Sequence, residues 1–307
     1  MKGNGIVHIL GVFGMLCWGL SFIWSNEVYA SLNPTTTIFL RLVISCIVLY
    51  LTLSITGRKQ KIRREHLKLF ALAAMFEPFL YFICEGYGLQ GTSPIVCSAI
   101  IATIPLFGTL AACVFLKEKM TAWNVVGFIV SFLGVMVMLV GKNMELAGTT
   151  TGIVFLLAAV VVAVGYSLSL RKLALMYNPL TVTMTQNMIG MIYFIPLVII
   201  TEKGLLGSAF PPSTDILAVR NYIVPLLLLG IFASSIAYLI WTLLFGRLGA
   251  AKANVYSNLI PVFTAIISFA FFGEAFAWQK VIGIMMVIFG LILSQGQHKI
   301  LLMKETR

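Results

Sequence analysis

Ile104-Pro105-Leu106-Phe107, followed by Phe115, Glu118, Gly127 and Gly134, is matched by Ile260-Pro261-Val262-Phe263, followed by Phe271, Glu274, Gly283 and Gly290. Every pair is separated by the same 156 residues. Apolar helices resemble one another through leucine-like residues alone. A shared register of Pro, Glu and Gly is not explained that way. Two fainter echoes extend the match: Asn33-Pro34 with Asn178-Pro179, and Gly19-Leu20-Ser21 with Gly165-Tyr166-Ser167. The chain therefore reads as a duplication, with one unit in 1–146 and the other in 147–307.

Composition says what is duplicated. Of 307 residues, 60% are hydrophobic and 10% charged, against about 45–50% and 25% in soluble domains. A soluble enzyme, a nucleic-acid binder and a disordered chain are all excluded by that surplus. One membrane-spanning helix takes about 20 residues. Ten fit here: 6–26, 35–56, 67–89, 93–116, 122–141, 152–170, 179–200, 222–246, 251–272 and 277–296. Segment 201–221 carries Pro211-Pro212-Ser213 and reads as a loop. The apolar run at the N-terminus reads as the first span, because no soluble body follows it as would follow a cleaved signal. The five cysteines lie in apolar runs without metal-like spacing and read as packing residues.

The net charge of +11 has a topological source. With the N-terminus inside, sixteen Lys and Arg fall on the cytoplasmic side, four on the other, and Arg41 lies within a span. That asymmetry is the positive-inside rule, and it predicts both termini in the cytoplasm of a cell with the chain in its inner membrane. Five spans per unit is an odd number, so the second unit enters the membrane from the opposite side. The fold class predicted is all-α: ten transmembrane helices in two inverted five-helix repeats, the construction of many secondary transporters.

The paired Pro–Phe…Glu…Gly…Gly runs, with Trp18-Gly19-Leu20-Ser21-Phe22 and Arg41-Leu42, resemble the EamA-like members of the drug/metabolite transporter superfamily. The resemblance covers nearly the whole chain. It implies two five-helix repeats around a central cavity walled by spans 1, 3, 4, 6, 8 and 9, and export of a small metabolite. The sequence departs from the family pattern at Glu77 and Glu85 of the third span, which are not general family features.

Several residues on those spans could carry the chemistry. A carboxylate in hydrocarbon costs at least about 2.5 kcal/mol unless paired or protonated, so Glu77 and Glu85 are functional candidates by default. Glu77 lies about ten residues, or roughly 15 Å, from the span's cytoplasmic end. It shares a helical face with Tyr81, Cys84 and Glu85 and precedes the helix-breaking Pro78. It is either a proton-binding site or a neutral carboxyl bonded within the bundle. Arg41 and Glu85 lie at similar depths, roughly 9 and 7 Å from the outer surface, which predicts a structural ion pair, with Glu27 the competing partner. Pro105 and Pro261 each remove a backbone donor at mid-depth, loosening the carbonyls of Ile101 and Ser257. They are read as hinges or as packing kinks. Trp18, Tyr166, Ser234, Tyr238, Trp241, Ser257 and Asn258 complete a mixed polar and aromatic pocket. Ser234, Tyr238 and Trp241 share one helical face. The glycines at seven-residue spacing in spans 5 and 10 suit close helix packing, within the bundle or against another chain.

No HExxH, CxxC, P-loop or GxSxG occurs, so no metal, cofactor or catalytic residue is expected. The partners expected are a small-molecule solute, a proton as the candidate coupling ion, and membrane lipid, with no nucleic acid. An exporter of an amino acid or drug-like solute by alternating access fits best. Alternatives are a proton-coupled importer or exchanger of sugars or nucleotides, and a membrane enzyme acting on lipid-linked substrates. A scaffold or receptor would be expected to carry a soluble domain. The inverted topology has a direct check. A cysteine at Glu118 should react with an impermeant reagent only from inside, and one at Glu274 only from outside. Reaction of both from one side would remove the inversion.

Overall fold

The computed structural model describes residues 2–58, 60–108, 110, 122–139, 147–201, 216–272 and 277–296. Among these the regular structure is helical throughout. The apolar segments are α1 (Lys2–Tyr29), α2 (Pro34–Thr56), α3 (Arg64–Gln90), α4 (Pro94–Gly108), α5 (Ala122–Leu139), α6 (Thr150–Met176), α7 (Pro179–Thr201), α8 (216–248), α9 (250–271) and α10 (Trp278–Gly296). Seven stretches are long and apolar enough to cross a membrane, and α4 and α10 and the second part of α9 are shorter apolar helices. The protein is an all-α, multi-span membrane protein. The turns holding Glu118 and Glu274, the end of the fourth span and Gly141 lie outside the described residues.

Local signals set the helix ends. Gly57 takes a left-handed conformation (φ 63°) and its N–H bonds the Leu53 carbonyl, closing α2. The Asn178 side chain accepts the Thr181 N–H at 2.8 Å and caps α7. α6 runs six residues past its expected end at 170, because Arg171 and Lys172 sit on an exposed face and do not interrupt the helix.

The helices pack in matched pairs. α1 lies on α9 as α6 lies on α4, and α2 lies on α8 as α7 lies on α3. α2 meets α7 and α5 meets α10, each helix meeting its own counterpart. This is the contact pattern of two halves related by a two-fold axis. At α5–α10 it reaches atomic detail. The Ser131 hydroxyl donates to the Val287 carbonyl at 2.9 Å, and the two positions are 156 apart. A Cβ on Gly134 would stand 2.7 Å from the Gly283 carbonyl oxygen, and one on Gly290 would stand 2.5 Å from that of Gly127. The contact moves up one helix as it moves down the other, so the two run antiparallel. The glycine stripes thus face each other within the chain, which explains them without a second copy.

The two ends of the bundle differ. Gly5-Ile6-Val7 near the start of α1 recurs as Gly152-Ile153-Val154 in α6, and Gly88…Gly91 at the end of α3 recurs as Gly246…Gly249 after α8. At one end these elements touch backbone to backbone. The Thr149 N–H donates to the Gly91 carbonyl at 2.7 Å, and a Cβ on Gly152 would lie 2.8 Å from the Gly91 Cα. At the other end, no described atom lies within 4 Å of a Cβ built on Gly5 or Gly249, and Gly246 meets the Ala174 carbonyl instead. The bundle is tight at the Gly91–Gly152 end and splayed at the other. Equivalent substitutions should then behave unequally. Gly152→Ala is expected to lower stability by about 1–3 kcal/mol through overpacking. Gly5→Ala should be neutral or gain up to about 1 kcal/mol, since alanine is the better helix residue. Thermal unfolding in detergent reads the difference, and equal effects would show the two ends to be alike.

Candidate functional site

Two of the long segments are interrupted at mid-span. In α3 the helix is kinked within Met75–Leu80, where Glu77 is extended (φ −146°, ψ 119°) just before Pro78. In α8, the counterpart of α3, Leu229–Ala237 is a π-helical segment. Both openings are backed by the neighbouring helix. Pro78 fills the groove at Gly190 of α7, and Ile44 of α2 fills the groove at Gly230. α4 and α9 break as well, at Ala102 and Asn258, each three residues before its proline. Proline cannot bond the carbonyl four residues back. Those carbonyls belong to Ile101 and Ser257, and both residues line the central cavity.

That cavity is partly open and leaves about 80 Å³ for water-sized occupants. It draws its walls from α1, α2, α3, α4, α6, α8 and α9. Trp18, Glu77, Tyr81, Tyr166, Tyr238, Trp241 and Ser257 of the expected set all line it, together with Pro105. Glu77 is buried, and its carboxylate accepts a hydrogen bond from the Tyr238 hydroxyl across the cavity. Trp18 meets Tyr238 and Trp241 edge to face, each with ring centroids 5.2 Å apart. These contacts tie an indole, a phenol and a carboxylate into one cluster. Trp18 is therefore a cavity residue.

Three expectations are corrected. Arg41 and Glu85 both line the cavity, but no nitrogen–oxygen approach within 4.0 Å joins them among the described residues, and none joins Arg41 to Glu27. Arg41 instead donates Nε–H to the Ser234 hydroxyl at 2.7 Å, and its guanidinium carbon lies 4.4 Å from the Phe82 ring centroid. Ser234 consequently turns away from the cavity. The reason is the π-turn, which breaks the four-and-three spacing that would have put it beside Tyr238 and Trp241. Asn258 is buried at the break in α9, its Oδ1 without a hydrogen-bond partner, and does not line the cavity. Pro261, one of the two expected hinges, is buried.

The sequence reading missed the polar knot that holds Arg41. Asn187 of α7 donates to the Ser45 hydroxyl (2.8 Å) and the Ser234 carbonyl (2.9 Å). The single Ser235 hydroxyl proton is shared between the Ser45 hydroxyl and the Gly230 carbonyl, each 2.8 Å away. This knot satisfies backbone that the π-segment leaves open. One signal was available. Counting seven residues on from Pro34 reaches Arg41, and from Pro179 reaches Gln186, another buried polar side chain.

The fold and site define a multi-span carrier with a solvent-sized, charged and aromatic chamber at its centre. The profile of the EamA-like transporter family matches residues 5–140 and again residues 150–295, and the chain belongs to that family. Its members are transporters and not enzymes. An uncharacterized transporter of Archaeoglobus fulgidus is 27% identical, covering 90% of this chain and 94% of its own. The uncharacterized transporter YcxC of Bacillus subtilis is 25% identical over 93% and 91%. A probable terminal-alkyne amino-acid exporter of Streptantibioticus cattleyicolor is 25% identical over 76% and 74%. One solved crystal structure superposes with a TM-score of 0.69 at 16% identity, over 94% of this chain and 97% of its own, a likeness of fold alone.

Arg41→Lys separates the two accounts of Arg41. Lysine keeps the charge but loses the guanidinium fork and the stacking on Phe82. Loss of the charged hydrogen bond to Ser234 should cost about 1.5–3 kcal/mol in thermal unfolding. Wild-type stability would instead mean that charge alone matters, as in a pairing with Glu85.

Proposed function

We propose that the protein exports a small organic metabolite, an amino acid or a drug-like solute, by alternating access in the cell membrane, with both termini cytoplasmic. The observation that carries this reading is the bond between Glu77 and Tyr238. It joins the interrupted segments of α3 and α8 across the central cavity. Inverted-repeat carriers bind substrate and coupling ion at such discontinuous helices near mid-membrane. Export is supported by the relative named as an amino-acid exporter.

The moving parts are the two halves, 1–146 and 147–307, rocking about the breaks before Pro105 and Pro261. The unequal ends of the bundle support two alternating states. Contacts made at Gly91–Gly152 and absent at Gly5–Gly249 would exchange in the other state. Glu77 is the coupling residue. On this reading the Glu77 carboxyl, bonded to Tyr238, carries a proton when solute is absent and gives it up when solute is bound.

For electroneutral one-for-one exchange, a pH difference of one unit supplies about 1.4 kcal/mol, enough for about a tenfold solute gradient. In reconstituted vesicles the wild-type protein should approach that gradient, driven by an imposed pH difference. Glu77→Gln should insert normally and retain solute exchange, but accumulate no gradient. An identical response of the two proteins to the pH difference would make Glu77 structural.

A further inference from the structure

Among the described residues, the link between α2 and α3 forms no regular structure before Arg64, yet it is held in place on the opposite half of the protein. The Asn178 backbone N–H donates to the Gln60 side chain at 2.7 Å, and the Asn178 amide donates to the Arg58 carbonyl at 2.9 Å. The Tyr177 hydroxyl accepts the Arg63 N–H at 3.2 Å and pairs with His66 Nδ1 at 2.7 Å. The link thereby wraps the α6–α7 turn and encloses an open pocket lined by Gln60, Lys61, Arg63, His66, Met176 and Tyr177.

The charge in this pocket is unbalanced. Among the described residues Lys61 has no acidic partner, and the one carboxylate close by, Glu65, is 3.3 Å from Arg63 and 3.8 Å from His66 Nε2. Arg58, Arg64 and Lys68 lie on the same segment and Arg171 and Lys172 on α6. Apolar side chains near these residues in the chain are exposed as well. Leu175 is 72% exposed, Ile55 is 85% exposed, and Met176 in the lining is exposed too. A ligand suited to both surfaces has an anionic head and a hydrocarbon tail.

We propose that this pocket binds the phosphate headgroup of an anionic phospholipid. Lys61 and Arg63 hold the phosphate, Gln60 and His66 offer polar contacts to it, and the acyl chain lies along Leu175 and Ile55. Basic pockets at the cytoplasmic surface of membrane helices suit such headgroups. The consequence is mechanical. The link belongs to the first half and Tyr177-Asn178 to the second, so a bound lipid bridges the halves on the splayed side of the bundle. A soluble phosphate would share the headgroup chemistry but leave the apolar surface unused.

Native mass spectrometry of the full-length protein in detergent, titrated with phosphatidylglycerol, phosphatidylcholine or inorganic phosphate, tests the site. One phosphatidylglycerol should be retained in preference to phosphatidylcholine, and millimolar phosphate should not displace it. At about fivefold in affinity for each basic residue near the headgroup, Lys61→Gln with Arg63→Gln should lose tenfold or more of that preference. Arg171→Gln with Lys172→Gln removes equal charge from the same side of the membrane and should keep most of it. Equal loss in both double variants would mean a diffuse surface field and overturn the pocket. Full displacement by phosphate, or undiminished preference in Lys61→Gln/Arg63→Gln, would overturn the lipid assignment. Lipid retention is read without solute flux, so the result stands apart from the transport assignment.

Discussion

In hydrocarbon no water is present to bond a free backbone group, so a spanning helix can open only where protein or a wet cavity receives it. The rest of this structure follows from that constraint. α3, α4, α8 and α9 each break at mid-span, and all four surround one chamber. Where α8 opens, Ser45, Asn187 and Ser235 supply the partners that the regular helix would have supplied. Where α3 opens, Pro78 seats against Gly190 and the Tyr193 hydroxyl bonds the Ala71 carbonyl at 3.3 Å. The irregular backbone and the cavity are two aspects of one feature.

Symmetry distributes these features and its imperfection gives them a direction. α5 and α10 meet through facing glycines, the closest packing open to two helices without an aqueous hydrophobic drive between them. Side-chain chemistry is not duplicated. Pro78 in a groove at Gly190 answers Ile44 in a groove at Gly230, and Gln186 answers Arg41. Glu77 and Glu85 occur on α3 alone. A duplicated frame thus carries a single, lopsided site, as a carrier needs if its two orientations are to bind solute and proton unequally.

The charges in the chamber are held by different means. Arg41 is fixed by a hydroxyl and an aromatic face, so its positive charge stays in the wall. Glu77 has one neutral donor, Tyr238, and Glu85 is half-buried in the same chamber. One guanidinium therefore shares the chamber with two carboxyls. That inequality is why the proposed coupling role falls to a carboxyl and not to the arginine.

The amino-acid sequence by itself determined the membrane-spanning class, the number and approximate limits of the apolar segments, the duplication and most of the cavity wall. Each of these depends on composition or on residues close in the chain: runs of about 20 apolar residues, Pro and Gly at a fixed offset, acids in hydrocarbon. Trp18, Glu77, Tyr81, Tyr166, Tyr238, Trp241 and Ser257 could be picked out because polar or aromatic groups are conspicuous in such runs. Phe82, Ile104 and Ile260, which also line the chamber, are apolar among apolar residues and carry no such mark. Depth in the membrane is legible from residue counting, but direction around a helix holds only while the helix is regular. Arg41 and Glu85 matched in depth and still did not pair, and Ser234 left its expected face. In each case the π-turn of α8 and the packing of α2 against it decided the outcome, and those depend on contacts between residues nearly 200 positions apart.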